Sequence, residues 1–251
     1  MSVLAGKVAM VTGAGGGIGG AVVTAFIAEG ARVFAVDRDV SGIPPSPSVE
    51  SLACDVTDAA QVGAAVAQCR SRFGALNVAF NGAGISGRRF GDGPVDTCTD
   101  EGWRAVIDTN LTGVFHCCRD QVRAMLKDGG GGTIVNLASV LGLVGGDEDF
   151  ATHAYAASKG GVIALSRAIA VTYARRGISC NVIAAGLIAT PMSQRAQNDP
   201  KIRARLPELQ PLTGDFGRPD DVAAAAVYLC GPGARFTTGA VLTLDGGWTA
   251  R

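Results

Sequence analysis

The sequence predicts an α/β fold in one domain spanning residues 1–251: a doubly wound parallel sheet of about seven strands with helices on both faces. Short, almost continuously apolar runs alternate with longer helical stretches, and such runs are typical of strands buried on both sides of a sheet. Strand–helix–strand alternation implies right-handed crossovers between parallel strands. No linker, repeat or shift in composition indicates a second domain, and 251 residues can bury one large core.

The alternation places seven strands and five helices along the chain. The predicted strands occupy residues 7–12, 32–36, 49–53, 76–80, 133–138, 179–184 and 241–244. The predicted helices occupy residues 17–29, 58–73, 100–126, 155–175 and 219–230. Two connections are predicted to be loops: 41–48, where three prolines forbid a regular helix, and 129–132, a glycine run that leads into a strand.

Charge and cysteine content limit the classes of function. Formal net charge is zero, so no basic field favours binding to nucleic acid or to an anionic membrane. The seven cysteines are odd in number and show no C-x-x-C spacing, which predicts reduced thiols in a cytoplasmic protein and no metal site. We also expect no signal peptide and no transmembrane helix, because no apolar run reaches the necessary length.

A glycine-rich turn, T-G-A-G-G-G-I-G at Thr12–Gly19, joins the first predicted strand to the first helix. Glycines let the backbone approach a pyrophosphate, and the helix N-terminus offers free N–H groups, as in a Rossmann-type dinucleotide site. The second strand ends at Asp37, whose carboxylate can bind both ribose hydroxyls of an adenosine and would repel a 2′-phosphate. NAD is therefore expected rather than NADP, although Arg38 is a side chain that could pair with a 2′-phosphate.

Tyr155 and Lys159 are four residues apart in a predicted helix and therefore share one face. A lysine ammonium beside a phenol favours the phenolate, so we expect Lys159 to lower the Tyr155 pKa from its usual value of about 10. A tyrosine tuned in this way can act as a general acid or base near neutral pH. The pair alone has little specificity, since most such pairs are ordinary helix neighbours.

The chain resembles the compact short-chain dehydrogenase/reductase family along essentially its whole length, because several motifs occur in the family's order. They are the glycine turn Thr12–Gly19, Asp55-Val56, N-G-A-G at Asn81–Gly84, N-L-T-G-V-F at Asn110–Phe115, I-V-N-L-A-S at Ile134–Ser139, Y-x-x-x-K at Tyr155–Lys159, N-V-I-A-A-G-L-I-A-T-P-M at Asn181–Met192 and L-D-G-G at Leu244–Gly247. An ordered set is far more specific than any single motif.

The resemblance implies hydride transfer between a nicotinamide cofactor and a small alcohol or carbonyl substrate. The implied catalytic residues are Asn110, Ser139, Tyr155 and Lys159. The implied cofactor-binding residues are Gly13, Gly17, Ile18, Gly19, Asp37, Arg38, Asp55, Val56, Asn81, Gly82, Ala83, Gly84, Tyr155, Lys159, Gly186, Ile188 and Thr190. Asn110 is expected to hold a water that connects Lys159 to solvent, and Thr190 is either a carboxamide ligand or a helix cap. A homotetramer is the expected assembly.

The chain departs from the family pattern near the expected substrate site. Gly82 replaces an asparagine, Ala185-Gly186 replaces a Pro-Gly pair, and about three extra residues lie in 145–154. Residues 187–215 are expected to form a lid over the substrate. Its arginines at 195, 203 and 205 are interpreted mainly as solvated, the alternative being that one meets an acidic substrate group.

Other functions on this fold remain as alternatives. They are an NADP-dependent 3-oxoacyl thioester reductase and a catalytically idle nucleotide sensor or scaffold. Sugar epimerases and dehydratases usually show T-G-x-x-G-x-x-G and a longer C-terminal region, and enoyl reductases a wider Tyr–Lys spacing, none of which this chain has. Secondary alcohols or ketones, thioesters, steroids and polyols all remain open as substrates.

Overall fold

Seven parallel strands form one sheet in the computed structural model, which describes residues 2–43, 45–129 and 131–250. They are β1 (Val8–Thr12), β2 (Arg32–Asp37), β3 (Val49–Ala53), β4 (Val78–Asn81), β5 (Gly132–Ser139), β6 (Ile178–Ala185) and β7 (Val241–Leu244). Their order across the sheet is β3-β2-β1-β4-β5-β6-β7. All neighbouring strands are parallel, as predicted. The strand order reverses between β1 and β4, where the ends of two strands diverge and leave a crevice.

Helices cover both faces of this sheet, which confirms the predicted fold class. They are α1 (Gly17–Ala28), α2 (Ala59–Phe73), α3 (Asp100–Ile107), α4 (Gly113–Lys127), α5 (His153–Tyr173), α6 (Gln194–Asn198), α7 (Pro200–Leu209) and α8 (Pro219–Cys230). Helices α1 and α8 pack on one face, and α2, α4 and α5 pack on the other. Because both faces are covered, every residue of β1 is buried, which explains the unbroken apolar character of its sequence.

The single helix predicted over residues 100–126 is divided in the structure. Helix α3 ends at Ile107, and one π-helical turn, Asp108–Thr112, precedes α4. A π turn inserts an extra residue into the helical repeat and redirects the side chains around it. This turn carries Asn110, which is fully buried. The apolar pattern on either side does not reveal the extra residue, because the backbone enters and leaves the turn with right-handed helical dihedrals.

Local signals in the sequence account for several helix boundaries. Asp58 caps α2, its carboxylate accepting hydrogen bonds from the N–H groups of Ala60 and Gln61. The same helix ends at Gly74, which adopts the left-handed conformation with φ 86° that glycine accommodates without strain. Pro219 is the first residue of α8, where its missing N–H costs no hydrogen bond.

The two predicted loops are confirmed for their described residues, except that Gly132 is already the first residue of β5. No helix occurs between β2 and β3 among the residues the structure describes, consistent with the prolines of 41–48. The glycine run 129–132 leads into β5. Pro44 and Gly130, which belong to these two predicted loops, lie outside the described residues.

A third apolar cluster lies apart from the two that sandwich the sheet. It joins the turn at residues 148–150 to α6, α7 and the C-terminal segment, and includes Phe150, Ile202, Leu209 and Trp248. The rings of Phe150 and Trp248 meet edge to face at 5.0 Å between centroids. This cluster packs the 187–215 segment against the edge of the sheet where the strands end.

Candidate active site

A cavity of about 610 Å³ opens at the carboxyl ends of the strands, beside the crevice between β1 and β4. Its volume is that of a site for a small molecule or cofactor, and its position is where open α/β sheets bind ligands. Most of the predicted site residues line it, namely Gly13, Gly17, Ile18, Gly19, Asp37, Arg38, Asp55, Val56, Gly82, Ala83, Gly84, Ser139, Tyr155, Lys159, Gly186, Ile188 and Thr190. Asn81 and Asn110 do not line it.

The glycine turn between β1 and α1 forms one wall of this cavity. Gly13 has φ +72°, and a Cβ there would lie 2.7 Å from the backbone nitrogen of Ala83. A Cβ on Gly19 would lie 1.9 Å from the carbonyl oxygen of Gly13, so this position excludes any side chain. No side chain caps α1, and its first N–H groups have no intrahelical acceptor. The turn therefore fits a pyrophosphate, which those amides and the helix dipole would bind.

Asp37 lies at the end of β2, and its carboxylate is held against the glycine turn. Its Oδ2 accepts a hydrogen bond from the Gly15 N–H at 2.9 Å, and its Oδ1 accepts one from Asp39. The Arg38 side chain does not share the position of the Asp37 carboxylate. It is 60% exposed, and its Nη1 lies 3.9 Å from an Asp55 carboxylate oxygen. A fixed carboxylate therefore lines the cavity where an adenosine ribose would bind, while the neighbouring cation lies at the rim.

Ser139, Tyr155 and Lys159 converge on the cavity from two elements. Ser139 is the last residue of β5, and its Oγ accepts a hydrogen bond from Leu141 N–H at 3.2 Å. Tyr155 and Lys159 lie one turn apart near the start of α5, as predicted. The Lys159 ammonium is buried, donates to the Leu137 carbonyl at 2.9 Å, and lies 5.5 Å from the centroid of the Tyr155 ring.

Burial controls the pKa values of both titrating groups. It lowers the Lys159 pKa from 10.5 to about 8. It raises the Tyr155 pKa, an effect that a hydrogen bond with Ser139 partly opposes. The Tyr155 pKa is therefore raised and not lowered as predicted, because desolvation by burial is the largest effect on this phenol.

Asn110 lies directly behind the cavity wall. Its Oδ1 accepts from the Ile85 N–H at 2.8 Å, and its Nδ2 donates to the Ile85 carbonyl at 2.9 Å. A Cβ on Gly84 would lie 3.1 Å from that Oδ1 and 3.7 Å from the Lys159 ammonium, so the three residues are adjacent. The Asn110 side chain thus holds the loop that follows β4. Its role in holding a water stays a prediction.

Asn81 does not line the cavity, and its contact with the cofactor stays a prediction. Its Nδ2 donates to Gln121 at 3.0 Å and to Asn136 at 2.8 Å, and its Oδ1 accepts from Gln121 at 2.8 Å. Strand side chains alternate between the two faces of a sheet, and this one points into the layer beneath α4. The amides link three elements under the site, while the following residues Gly82–Gly84 line the cavity.

Asp92 is a residue that the sequence analysis missed. Its buried carboxylate accepts hydrogen bonds from the N–H groups of Ala154 and Tyr155, both at 3.0 Å, and so caps the start of α5. The cap lies more than sixty positions from Tyr155 in the chain, and no short-range pattern links the two residues. Asp92 fixes the backbone that carries the candidate acid–base tyrosine.

The segment predicted as a lid, 187–215, contains a 3-10 turn and two helices, α6 and α7. Thr190 lines the cavity and also precedes Pro191 as the cap of that 3-10 turn. Its predicted place as a cap is confirmed, and its contact with a carboxamide stays a prediction. Gln210, a second residue missed from sequence, anchors the segment. Its side chain accepts from the Leu187 N–H at 2.6 Å and donates to the Asp215 carbonyl at 2.8 Å.

Ion pairs attach this segment to the turn that holds the extra residues of 145–154. Arg205 of α7 pairs with the carboxylates of Asp147 and Asp149. The Lys201 ammonium lies 3.0 Å from the Asp149 carboxylate. These pairs lower the pKa of both aspartates. The region where the chain departs from the family pattern is thus bound to the candidate lid.

Comparison with known proteins agrees with this architecture. A short-chain dehydrogenase family model described as enoyl-(acyl carrier protein) reductase matches residues 13–249. The chain belongs to the short-chain dehydrogenase/reductase family. It is 37% identical to a D-threitol dehydrogenase from Mycolicibacterium smegmatis, covering 99% of this chain and 95% of that protein. It is 38% identical to a 2,5-dichloro-2,5-cyclohexadiene-1,4-diol dehydrogenase from Sphingobium indicum, with 100% of each chain covered.

A solved structure of levodione reductase has a TM-score of 0.87 and 33% identity, covering 98% of this chain and 99% of that one. The protein is accordingly an oxidoreductase, an alcohol dehydrogenase/carbonyl reductase of a family that uses NAD(P) and acts on secondary alcohols. No helix in the described part of the chain is long and apolar enough to cross a membrane. The described residues also contain no metal-binding cluster of His, Cys, Asp and Glu.

Proposed function

We propose that this protein transfers a hydride between NAD and a secondary alcohol or ketone, with Tyr155 as general base in oxidation and general acid in reduction. One observation carries the proposal: Ser139, Tyr155 and Lys159 line the same cavity as the glycine turn and Asp37. In the strand order, β5 lies three positions from β2, so the strands that end in Ser139 and Asp37 are about 14 Å apart at a spacing near 4.8 Å. An extended dinucleotide spans such a distance.

Each side chain has a distinct role in this scheme. Ser139 donates a hydrogen bond to the substrate oxygen and polarises it. Tyr155 exchanges a proton with that oxygen, and the buried Lys159 ammonium favours the phenolate as the proton leaves. The cofactor, when bound, accepts or donates hydride at its nicotinamide ring. Asn110 lies beside Lys159 and, by analogy with the family, holds a water that connects the Lys159 ammonium to solvent.

NAD is the proposed cofactor because a carboxylate lines the expected ribose site. The Asp37 side chain is held by the Gly15 amide, so it cannot easily move aside for a 2′-phosphate. Ile188 and Thr190, which also line the cavity, are proposed to hold the nicotinamide carboxamide. The alternative, an NADP-dependent 3-oxoacyl thioester reductase, is favoured only by the exposed guanidinium of Arg38.

The test is steady-state turnover on a panel of secondary alcohols, polyols, ketones and one 3-oxoacyl thioester, each with NAD(H) and NADP(H). We expect NAD-dependent turnover that falls at least about a thousandfold in Tyr155→Phe, consistent with loss of an acid–base group from a hydrogen-bonded site. Asp37→Ala is expected to raise the NADP to NAD ratio of kcat/KM at least about tenfold. Binding of NADH without turnover of any substrate would favour the idle sensor instead.

We also propose a homotetramer in a reducing, cytoplasmic environment. Apolar side chains are exposed on α4 and α5 (Phe115 and Val171) and near α8 and β7 (Tyr228 and Phe236), giving two separate faces for contact between copies. All seven cysteines are free thiols. Light scattering coupled to size-exclusion chromatography tests the assembly, and a monomeric mass would contradict it.

A further inference from the structure

Two arginines from distant parts of the chain meet at the wall of the cavity that Tyr155 also lines. Arg88 lies in the short 3-10 turn that follows β4, and Arg195 lies on α6 of the candidate lid. Their guanidinium groups donate to the same acceptor, the backbone carbonyl of Asp149, at 3.1 Å and 3.0 Å. Both residues line the cavity, as does the adjacent Arg89. Three arginines therefore line the same cavity.

The carboxylates nearby do not neutralise these cations. Within the described chain, neither Arg88 nor Arg89 forms an ion pair. Arg195 has one partner, Asp199, at 3.8 Å, which is too long for a hydrogen bond. The Asp149 carboxylate is turned to Arg205 and Lys201, so only its carbonyl oxygen faces the opening.

Two further observations concern the charge around Arg88, which like Arg195 is exposed. The carboxylate of Asp92, which attracts Arg88, is already hydrogen-bonded to the start of α5. Burial and the neighbouring charge of Arg195 lower the Arg88 pKa, as expected for two like charges held together. Like charges packed in this way at a cavity wall are relieved by an anion.

We infer that Arg88 and Arg195 form a binding site for an anionic group, such as a carboxylate, of the substrate whose hydroxyl or carbonyl reacts at Tyr155. Each guanidinium uses one nitrogen on the Asp149 carbonyl and keeps further N–H donors in the planar arrangement that matches a carboxylate. The inference rests on the proposed function and narrows it: the substrate is a hydroxy acid or oxo acid.

The position of the arginines relative to Tyr155 supports this assignment. The Asp92 carboxylate attracts Arg88 and accepts the N–H of Tyr155, so the arginine pair lies near the start of α5, the end of the helix that carries Tyr155. Phe150, directly after Asp149, lines the cavity and packs on Trp248. A substrate could thus place its oxygen at Tyr155, pass its carbon chain along Phe150, and end at the arginines.

The test compares matched substrates that differ only in charge. A series of hydroxy acids, 3-hydroxybutanoate, 4-hydroxypentanoate and 5-hydroxyhexanoate, is assayed against the corresponding methyl esters with NAD. We expect one chain length to be preferred at least about tenfold over its ester in kcat/KM. Arg88→Ala and Arg195→Ala should each reduce that acid-to-ester ratio roughly ten- to hundredfold, as for loss of a hydrogen bond to a charged group.

Arg203→Ala is the matched control, because Arg203 lies on α7 of the same segment, is exposed, and does not line the cavity. Its acid-to-ester ratio should equal that of the wild type. A wild-type enzyme that turns over esters as well as acids would overturn the inference and leave the proposed function intact. An unchanged ratio in both arginine variants would overturn it too.

A binding measurement separates this inference from the proposed function. Saturation-transfer NMR on the wild-type protein with NADH and pentanoate, which has no hydroxyl to react, should show contact that Arg88→Ala/Arg195→Ala abolishes and Arg203→Ala preserves. Such binding without turnover of any alcohol would support the anion site and contradict the proposed reaction. Absence of pentanoate contact in the wild type, together with no preference for acids, would refute the anion site.

Discussion

Replacing Asp92 with alanine removes the carboxylate that holds the start of α5, and with it the backbone of Tyr155. The Ala154 and Tyr155 N–H groups, each 3.0 Å from an Asp92 oxygen, would lose their acceptor. Ala154 is fully buried, so water cannot easily replace the carboxylate there. The variant therefore tests whether a residue distant in the chain determines the position of the candidate acid–base group.

The expected magnitude follows from the two hydrogen bonds. Loss of a capping side chain costs about 1 kcal/mol, and each buried donor left without a partner costs about 1–3 kcal/mol. Because one N–H is buried and the other partly buried, we expect Asp92→Ala to lower the free energy of unfolding by roughly 2–4 kcal/mol. Asp92→Asn keeps one carbonyl acceptor, so about half of this loss is expected.

Urea denaturation at constant protein concentration measures the change in the free energy of unfolding. Steady-state kinetics measures kcat and its pH profile, which depend on the position of Tyr155. We expect kcat to fall about tenfold in Asp92→Ala with partial recovery in Asp92→Asn, and the basic limb of the kcat pH profile to shift. If Asp92 only stabilised the helix and did not position Tyr155, the pH profile of kcat would stay unchanged. If the free energy of unfolding of Asp92→Ala were within about 0.5 kcal/mol of the wild-type value, the reasoning would be refuted, because the loss of two hydrogen bonds at a buried helix start should cost more.

Two further predictions concern buried charge and the candidate lid. Between pH 7.5 and 9.5 the unfolded chain keeps the Lys159 ammonium, while the folded chain loses it through a pKa of about 8. The folded state then binds fewer protons, so wild-type stability should rise by roughly 2 kcal/mol relative to Lys159→Met over that range. Urea denaturation of both proteins at the two pH values measures this, and a constant difference would contradict it. Arg205→Met removes the pairs with Asp147 and Asp149 and should speed chymotryptic cleavage within 187–215 roughly two- to fivefold, as for a surface ion-pair network. Arg218→Met, which breaks one exposed pair, is the control and should cleave at the wild-type rate.

Features that depend on near neighbours in the chain were predictable from sequence. The glycine turn needs a positive φ at Gly13 and no Cβ at Gly19, requirements that the residue types reveal directly. Tyr155 and Lys159 share a helix face because of their spacing alone. Parallel strands end at one edge of a sheet, so the motifs at the ends of β1, β2, β4, β5 and β6 had to meet there once the alternation was recognised.

Contacts between distant segments were not predictable, and they decide much of the site. Side chains along β4 alternate between the two faces of the sheet, so the face that Asn81 occupies depends on the exact position of the strand. In the structure its side chain contacts Gln121 and Asn136 and not the cavity. The Tyr155 pKa is raised by burial, and the spacing of Tyr155 and Lys159 along a helix does not show how deeply the phenol is buried.

The sequence by itself determined the fold, the family and the candidate catalytic residues, because these rest on short-range geometry and on the order of motifs. Only the tertiary structure brought Asp92 to the start of α5 and placed Arg88 beside Arg195. The reason is physical: those pairs are set by how the lid, the turn at 148–150 and α5 pack together. Packing depends on the whole chain, since no residue near Arg88 in sequence encodes what will lie opposite its guanidinium.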